Sequence, residues 1–276
     1  MDILKRSSQA MVVLIGDLHI NSTVALCPER FEMDDGGIYK PSKAQRWLWD
    51  CWLEFWSEVK KRKGRKRLYV VIGGDIVDVN QHSQTQLIVF ENNAAILDAA
   101  EKVLKLPRML ADHIFVIRGT EAHTGGSGYL EEQLAQRIGA EKDVERFSWW
   151  HLAMEIEGVK FDLAHHPQTA ARRPWTRESS AARQAAITWS EYHEMGEVPP
   201  DIVGRWHVHY WAKGYKGSTF CFYGPPWQLA TSFGYRLGTG RKIEPVGGVV
   251  VVAEKGRTPL WEDIRYSPPR GNIWKR

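Results

Sequence analysis

Three short apolar runs mark the first half of the chain: Met11 to Ile15, Leu68 to Ile72 and Ile114 to Ile117. Each is too short for a helix and reads as a strand buried on both faces. Between them apolar residues recur at helical spacing. Ser42 is placed to cap a first helix whose stripe runs Trp47, Leu48, Cys51, Trp52, Phe55, Trp56 and Val59, with Gly64 at its end. A second helix is expected over Leu87 to Leu106 and a third over Tyr129 to Ile138. Strand alternating with helix predicts an α/β protein with a parallel sheet and right-handed crossovers. After Phe147 the rhythm changes. Trp149 to Ile156 and Val159 to Ala164 read as strands paired about Glu157-Gly158. A polar, basic stretch from Gln168 to Arg183 leads into a helix ending near His193. Asp201 to Gly204 is a short strand, and Gly214 to Ala253 reads as β. The expected organisation is one domain over 1–253, with 168–195 as an inserted basic and aromatic loop and helix, and a surface-wrapping extension over 254–276.

Composition narrows the class. The 276 residues are 43% hydrophobic and 25% charged, enough apolar content for a sizeable core. No run approaches the roughly 18 apolar residues of a membrane span, and residues 1–10 lack the apolar segment of a secretory signal. Cys27, Cys51 and Cys221 are scattered, which predicts a reducing compartment and no thiolate zinc site. The expectation is a cytoplasmic protein without a membrane partner. A net charge of +4 does not by itself require nucleic acid.

The candidate chemistry sits where the strands stop. Asp17 and His19 follow the first strand, Asp75 the second, Glu121 and His123 the third; His165 and the pair His207 and His209 follow later ones. Spacing of two on an extended segment puts Asp17 and His19 on one side, with Leu18 turned to the core, and His207-Val208-His209 repeats the arrangement. Carboxyl ends of parallel strands share one edge. Two such pincers and a shared carboxylate can hold two cations about 3.5–4 Å apart. Imidazole with carboxylate and no thiolate suits Mn²⁺, Fe or Zn²⁺.

The ordered set Gly16-Asp17-Leu18-His19, Gly74-Asp75-Ile76-Val77-Asp78, Arg118-Gly119, His165 and His207-Val208-His209 resembles the calcineurin-like metallophosphoesterase superfamily. The resemblance implies two stacked mixed β-sheets flanked by helices, and a two-metal phosphoesterase in which a metal-bridging hydroxide attacks phosphorus. It implies that Asp17, His19 and His209 hold the first of two divalent ions, that Asp75 bridges, and that His165 and His207 hold the second, with Mn²⁺ favoured over Fe or Zn²⁺. One motif departs. The family shows Gly-Asn-His where this chain has Gly119-Thr120-Glu121-Ala122-His123. Glu121 is the expected replacement ligand, the alternative being a cap of the next turn, and His123 the expected acid beside the catalytic Asp75. Asp78 is expected to support or cap. His166, where the family often has Gly, is expected to touch substrate, the alternative being a solvated side chain.

Two basic regions compete as substrate contacts. Lys60 to Arg67 lies before a strand, at the sheet end away from the metals, and complements a helix C-terminus. Arg172, Arg173, Trp175, Arg177 and Arg183 follow His165 on the metal side, where guanidinium forks suit phosphate and a Trp can stack a base. Trp206, Tyr210 and Trp211 offer a further stacking wall. His82, His113, His151 and His193 carry no motif and read as structural. These features predict a phosphodiesterase acting on DNA or RNA, that is, a nuclease. A phosphomonoesterase or a small or cyclic nucleotide phosphodiesterase is the first alternative. A non-catalytic nucleic-acid-binding protein with a degenerate site is the second.

Overall fold

The computed structural model describes residues 9–79, 86–171, 173–232 and 244–269; Arg172 and His82 lie outside the described residues. The first strand, β1 (Gln9–Ile15), shows how the layers arise from sequence. Met11, Val13 and Ile15 enter the core beneath the helices, whereas Ala10, Val12 and Leu14 enter the core between two sheets. The strand is apolar throughout because both faces are covered.

A small hairpin of β2 (Phe31–Glu32) and β3 (Ile38–Tyr39) precedes α1 (Lys43–Lys63). Ser42 and Gln45 cap that helix reciprocally, side chain to backbone in both directions. Trp52, Phe55 and Trp56 are buried from its face, each worth roughly 1.5–3 kcal/mol or more by area. The chain continues through β4 (Arg67–Ile72), α2 (Asn93–Leu110), β5 (His113–Val116), the single turn α3 (Glu121–Thr124) and α4 (Tyr129–Ile138). Helix α2 starts at Asn93, later than the periodicity predicts. Leu87 instead bridges to Ser22, the Asp34 carboxylate accepts from the amides of Phe90, Glu91 and Asn92, and the Asn92 side chain caps Ala95.

The second half supplies β6 (His151–Ile156), β7 (Val159–Ala164), α5 (Arg177–Glu194), β8 (Ile202–Arg205), β9 (Ala212–Lys216), β10 (Thr219–Tyr223), β11 (Val246–Glu254) and β12 (Leu260–Tyr266). Glu157 and Gly158, with φ of 50° and 79°, form the tight turn between β6 and β7. The first sheet runs β12-β11-β1-β4-β5 and the second β6-β7-β8-β10-β9, both mixed. Helices α1, α2 and α4 cover the first sheet. Helix α5 covers the second, with Ala181 and Ala185 against Cys221 and Tyr223. The architecture is therefore the expected sandwich of two mixed sheets between helices.

Of the extension expected over 254–276, residues 270–276 lie outside the described residues, and the described part includes a paired strand. Leu260–Tyr266 pairs along β11 from Val252 to Val246, so the first sheet extends past residue 253. The segment Leu260-Trp-Glu-Asp-Ile-Arg-Tyr266 alternates poorly because it is an edge strand, where charge protects an open edge. Among the described residues, no helix is long and apolar enough to cross a membrane.

Candidate functional site

Strands β1, β4 and β5 are parallel, as are β7, β8 and β10, so the loops that follow them can meet. Pairing persists beyond the strands. The amides of Asp17, His19 and Ile20 donate to the carbonyls of Gly74, Asp75 and Ile76 at 2.9, 2.9 and 2.8 Å. These loops are not extended. Asp17, His19, Asp75, His207 and His209 all have left-handed backbone, with φ of 50°, 45°, 50°, 71° and 52°. The expected same-side placement of Asp17 and His19 is thus reached by a different route: a residue with positive φ on each side of Leu18, which stays buried. Such conformations cost of order 1–3 kcal/mol each away from glycine, and they cluster where function fixes them.

Trp206, expected as part of a stacking wall, is fully buried and lies on a bed of glycines. A Cβ at Gly16, Gly73 or Gly224 would run into its indole. Tyr210 is buried as well, and Trp211 stacks on Phe222 in the core between the sheets. The wall is internal packing. These aromatics hold the loop after β8 against those after β1 and β4.

Two donor groups face each other across Asp75. Asp17, His19, Asp75 and His209 form the first and His165, His166 and His207 the second, with the donor atoms of each within 4.8 Å of one another. Asp75 Oδ2 lies 3.0 Å from His165 Nε2 and 4.0 Å from His19 Nε2, so it adjoins both. The Asp17 carboxylate accepts from the His207 amide at 3.1–3.2 Å. The second ring nitrogens are held from behind: His165 Nδ1 lies 2.7 Å from the Gly73 carbonyl, and His19 Nδ1 is 3.0 Å from Asp78 Oδ1. That backing aims each Nε2 into the site.

The electrostatics call for positive charge at this edge. Burial opposes an ionised Asp75, but His165 and His19 outweigh it and hold the carboxyl well below the usual carboxylate range. Burial likewise opposes the charged rings, yet Asp78 raises His19 to about 9 and Asp75 raises His165 to about 9. Burial, with Asp75 adding to it, lifts Asp17 to about 6. Burial and the charge of His165 lower His207 to about 4, and burial with His19 lowers His209 far below the ordinary imidazole value. His19 Nε2 lies 2.9 Å from His209 Nε2, within hydrogen-bond distance. Protons on His19 and His165 occupy positions where neutral rings would present lone pairs to a cation. The donor set fits divalent metal ions.

The altered third motif resolves into separate parts. Glu121 begins α3, and its carboxylate accepts from the Ser127 amide at 3.1 Å; it belongs to neither donor group. The geometry matches the turn-capping alternative, because α3 starts at Glu121 and carries its side chain toward the next turn. Thr120 remains in the centre, with Oγ1 near Asp75, His165, His166 and His207. His123, one turn further on, places Nδ1 2.6 Å from Asp78 Oδ1 and its ring edge-on to His19. Burial opposes the charge on Asp78, but His19 and His123 outweigh it and hold it at about 2.

Glu131 went unnoticed in the sequence. It is fully buried on α4, and its two oxygens accept from the amides of Ile76 (2.9 Å) and Gly119 (2.6 Å), clamping the loops after β4 and β5 together. Burial and the nearby Asp75 raise its carboxyl to about 7. The signal was present: Glu131, Leu134, Ala135 and Ile138 share the buried stripe of the helix, and an acid on such a stripe has a polar task. Asn21 is a second unnoticed clip, donating from Nδ2 to the carbonyls of Asp78 and Val89.

The expected substrate contacts divide. Trp175 is 76% exposed, and Arg173 lies over its ring at 5.8 Å, in the segment that follows His166. Arg177 is committed elsewhere, paired with Glu244 at 2.6 Å and stacked 4.0 Å over Tyr210. In the Lys60 to Arg67 cluster, Arg62 pairs with Glu58 and Glu262, and Lys63 with Asp112. The remaining histidines are structural in placement: His113 pairs with Glu141, His151 with Asp162, and His193 stacks on Trp189.

No curated protein sequence matches the chain. Solved structures similar to it include a double mutant of Vps29 from Entamoeba histolytica, at 14% identity and a TM-score of 0.46, covering 93% of this chain and 99% of that one. Vacuolar protein sorting 29 from Cryptosporidium parvum matches at 12% identity and 0.46, covering 94% and 99%. A novel archaeal phosphodiesterase matches at 12% and 0.42, covering 93% and 99%. The family model described as calcineurin-like phosphoesterase matches residues 10–231, which takes in every donor residue of the two groups, and the chain belongs to that family.

Proposed function

We propose that this protein is a two-metal phosphodiesterase that acts on nucleic acid. One observation carries the reading: a mixed carboxylate and imidazole group that contains the buried Asp75 lies beside a group of three imidazoles, and Asp75 Oδ2 adjoins both, 3.0 Å from His165 Nε2 and 4.0 Å from His19 Nε2. Asp17, His19, Asp75 and His209 would hold one divalent ion, and His165 and His207 with Asp75 the other. Ions bound there supply Lewis acidity, drawing charge from phosphoryl oxygens and making water a nucleophile near neutral pH.

The chain's own residues do the rest. Asp78 accepts from Nδ1 of both His19 and His123, fixing one ring as a ligand and the other as a proton carrier. With its Nδ1 proton on Asp78, His123 delivers a proton from Nε2 to the leaving oxygen. Asp78 is the positioning residue of that pair. Glu131 keeps Gly119 and Ile76 in register, and with them Thr120 and Asp75. Arg173 and Trp175 form an exposed lip that can pair with a phosphate and stack a base.

A smaller footprint is the second reading. Arg177, Trp206 and Tyr210, all expected to touch substrate, are committed inside the protein, which suits a small or cyclic nucleotide. Hydrolysis of single-stranded DNA, RNA and cyclic nucleotides with Mn²⁺ separates the two. The proposal expects polymer cleavage that weakens steeply with salt and with Arg173→Ala. Salt-insensitive turnover of nucleotides alone would select the second reading.

A further inference from the structure

The second donor group has one imidazole more than its motif implied. In the resemblance, an Asn at position 120 would complete that site, and Thr120 cannot replace it: its hydroxyl is shorter and neutral, a poor ligand. Yet Thr120 Oγ1 lies 3.1 Å from His207 Nδ1, 3.2 Å from His166 Nε2, 3.3 Å from Asp75 Oδ2 and 3.4 Å from His165 Nε2. A hydroxyl has one proton to donate and two lone pairs, so it cannot serve four polar atoms at once. The four converge on a point that a hydroxyl only partly satisfies.

The geometry points to His166 as the ligand that completes the second metal site, giving it three imidazoles and the shared Asp75 carboxylate. This rests on the two-metal reading above. The rings already surround one space: His165 and His166 centroids are 4.8 Å apart at 87°, His166 and His207 4.5 Å apart at 48°, and His165 and His207 5.3 Å apart at 72°. Loss of the Asn side chain and gain of His166 are then one exchange. The amide oxygen leaves the loop after β5, and a ring nitrogen enters from the end of β7. Exchanging a neutral oxygen for a nitrogen makes this site softer than the first, which has two carboxylates and two imidazoles. The second site should favour Zn²⁺ or Co²⁺, while the first tolerates Mn²⁺. Thr120 becomes a hydrogen-bond partner of the ligands, donating to Asp75.

The test is metal content and spectrum, with activity as a separate readout. Metal-stripped protein is loaded with Co²⁺, dialysed and assayed for bound metal, and the visible Co²⁺ bands are recorded. Wild type should hold two equivalents. His166→Ala should hold one, bind the second at least tenfold more weakly and lose part of the visible absorption. Thr120→Asn in the His166→Ala background should restore the second equivalent. Because His166 is exposed, the variant should melt like wild type without metal, and His166→Gln serves if it does not. Two equivalents with unchanged affinity and spectrum in His166→Ala would overturn the assignment, as would a single equivalent in wild type. If wild type holds two equivalents and hydrolyses no phosphoester, the functional reading fails and the ligand assignment survives. If His166→Ala holds two and still hydrolyses, the reverse follows.

Discussion

Among the described residues, buried carboxylates meet imidazoles in two places, Asp162 in the second sheet and Asp17, Asp75 and Asp78 at the sheet edge, and the two differ in what answers the charge. In the second sheet, Asp162 takes a hydrogen bond from Arg205 Nη2 at 2.6 Å, one from Tyr192 at 3.0 Å, and an ion pair with His151 at 2.9 Å. It sits within β7 on ordinary backbone, and Arg205 also donates to its carbonyl. Every oxygen is answered by a proton that stays on the protein. At the sheet edge, Asp17, Asp75 and Asp78 have no Lys or Arg within ion-pair distance among the described residues, only histidines. There the backbone is left-handed at five donor residues. Burial alone therefore does not mark a functional carboxylate. What marks it is charge balanced by removable protons, on backbone held in a costly conformation.

The largest effect expected concerns His123, the proposed proton carrier. His123→Gln should lower turnover of nucleic acid by roughly 10²–10⁴-fold, the usual worth of a general acid. It should matter much less for bis-p-nitrophenyl phosphate, whose leaving group needs no proton. Equal losses on both substrates would remove His123 from that role. On the structural side, Arg205→Met strands the buried Asp162 and should cost about 3–5 kcal/mol in urea unfolding, while leaving metal content unchanged.

Divalent metal sharpens the contrast further. Binding to the folded state alone should stabilise the protein by about 2.7 kcal/mol at a free concentration of 100 Kd, read as a rise in Tm. Arg205→Met should keep that rise from its lower baseline, whereas Asp17→Asn should lose most of it. The smallest effect is in acid. Burial would raise the Asp162 carboxyl, but His151 and Arg205 outweigh it and hold it at about 2 against an ordinary 3.8. A depressed carboxyl contributes stability that is complete above its unfolded value and is lost as pH falls. Asp162 should account for some 2 kcal/mol of the stability lost between about pH 4 and pH 2. Asp162→Asn should lose less than wild type by that amount, the loss from Asp75 and Asp78 remaining.

The layered fold was legible because β1, β4 and β5 are apolar on both faces and α1 carries a dense stripe between clear caps. The start of α2 was not, because a distant carboxylate, Asp34, takes the amides that would have begun it. Nor was β12, whose charged pattern reflects an edge. Local spacing brought Asp17, His19, Asp75, His165, His207 and His209 into view because each follows a strand. It gave the wrong neighbours for Trp206, since a bed of glycines from three separate loops is a tertiary fact. Glu121 and Glu131 make the same point in opposite senses. The acid inside the motif turns away, and the acid on a helix stripe ten residues later clamps the motif in place.

The proposed sharing of Asp75 by two metal ions decides whether this chain works as a two-metal phosphodiesterase. Its most direct test is hydrolysis of bis-p-nitrophenyl phosphate by chelator-stripped protein titrated with Mn²⁺, comparing wild type with Asp75→Asn. No turnover is expected without metal, activity should saturate at two equivalents, and the variant should lose at least roughly 10²–10³-fold, the scale of removing one electrostatic stabiliser. Metal-independent turnover, or an Asp75→Asn protein as active as wild type, would contradict that sharing.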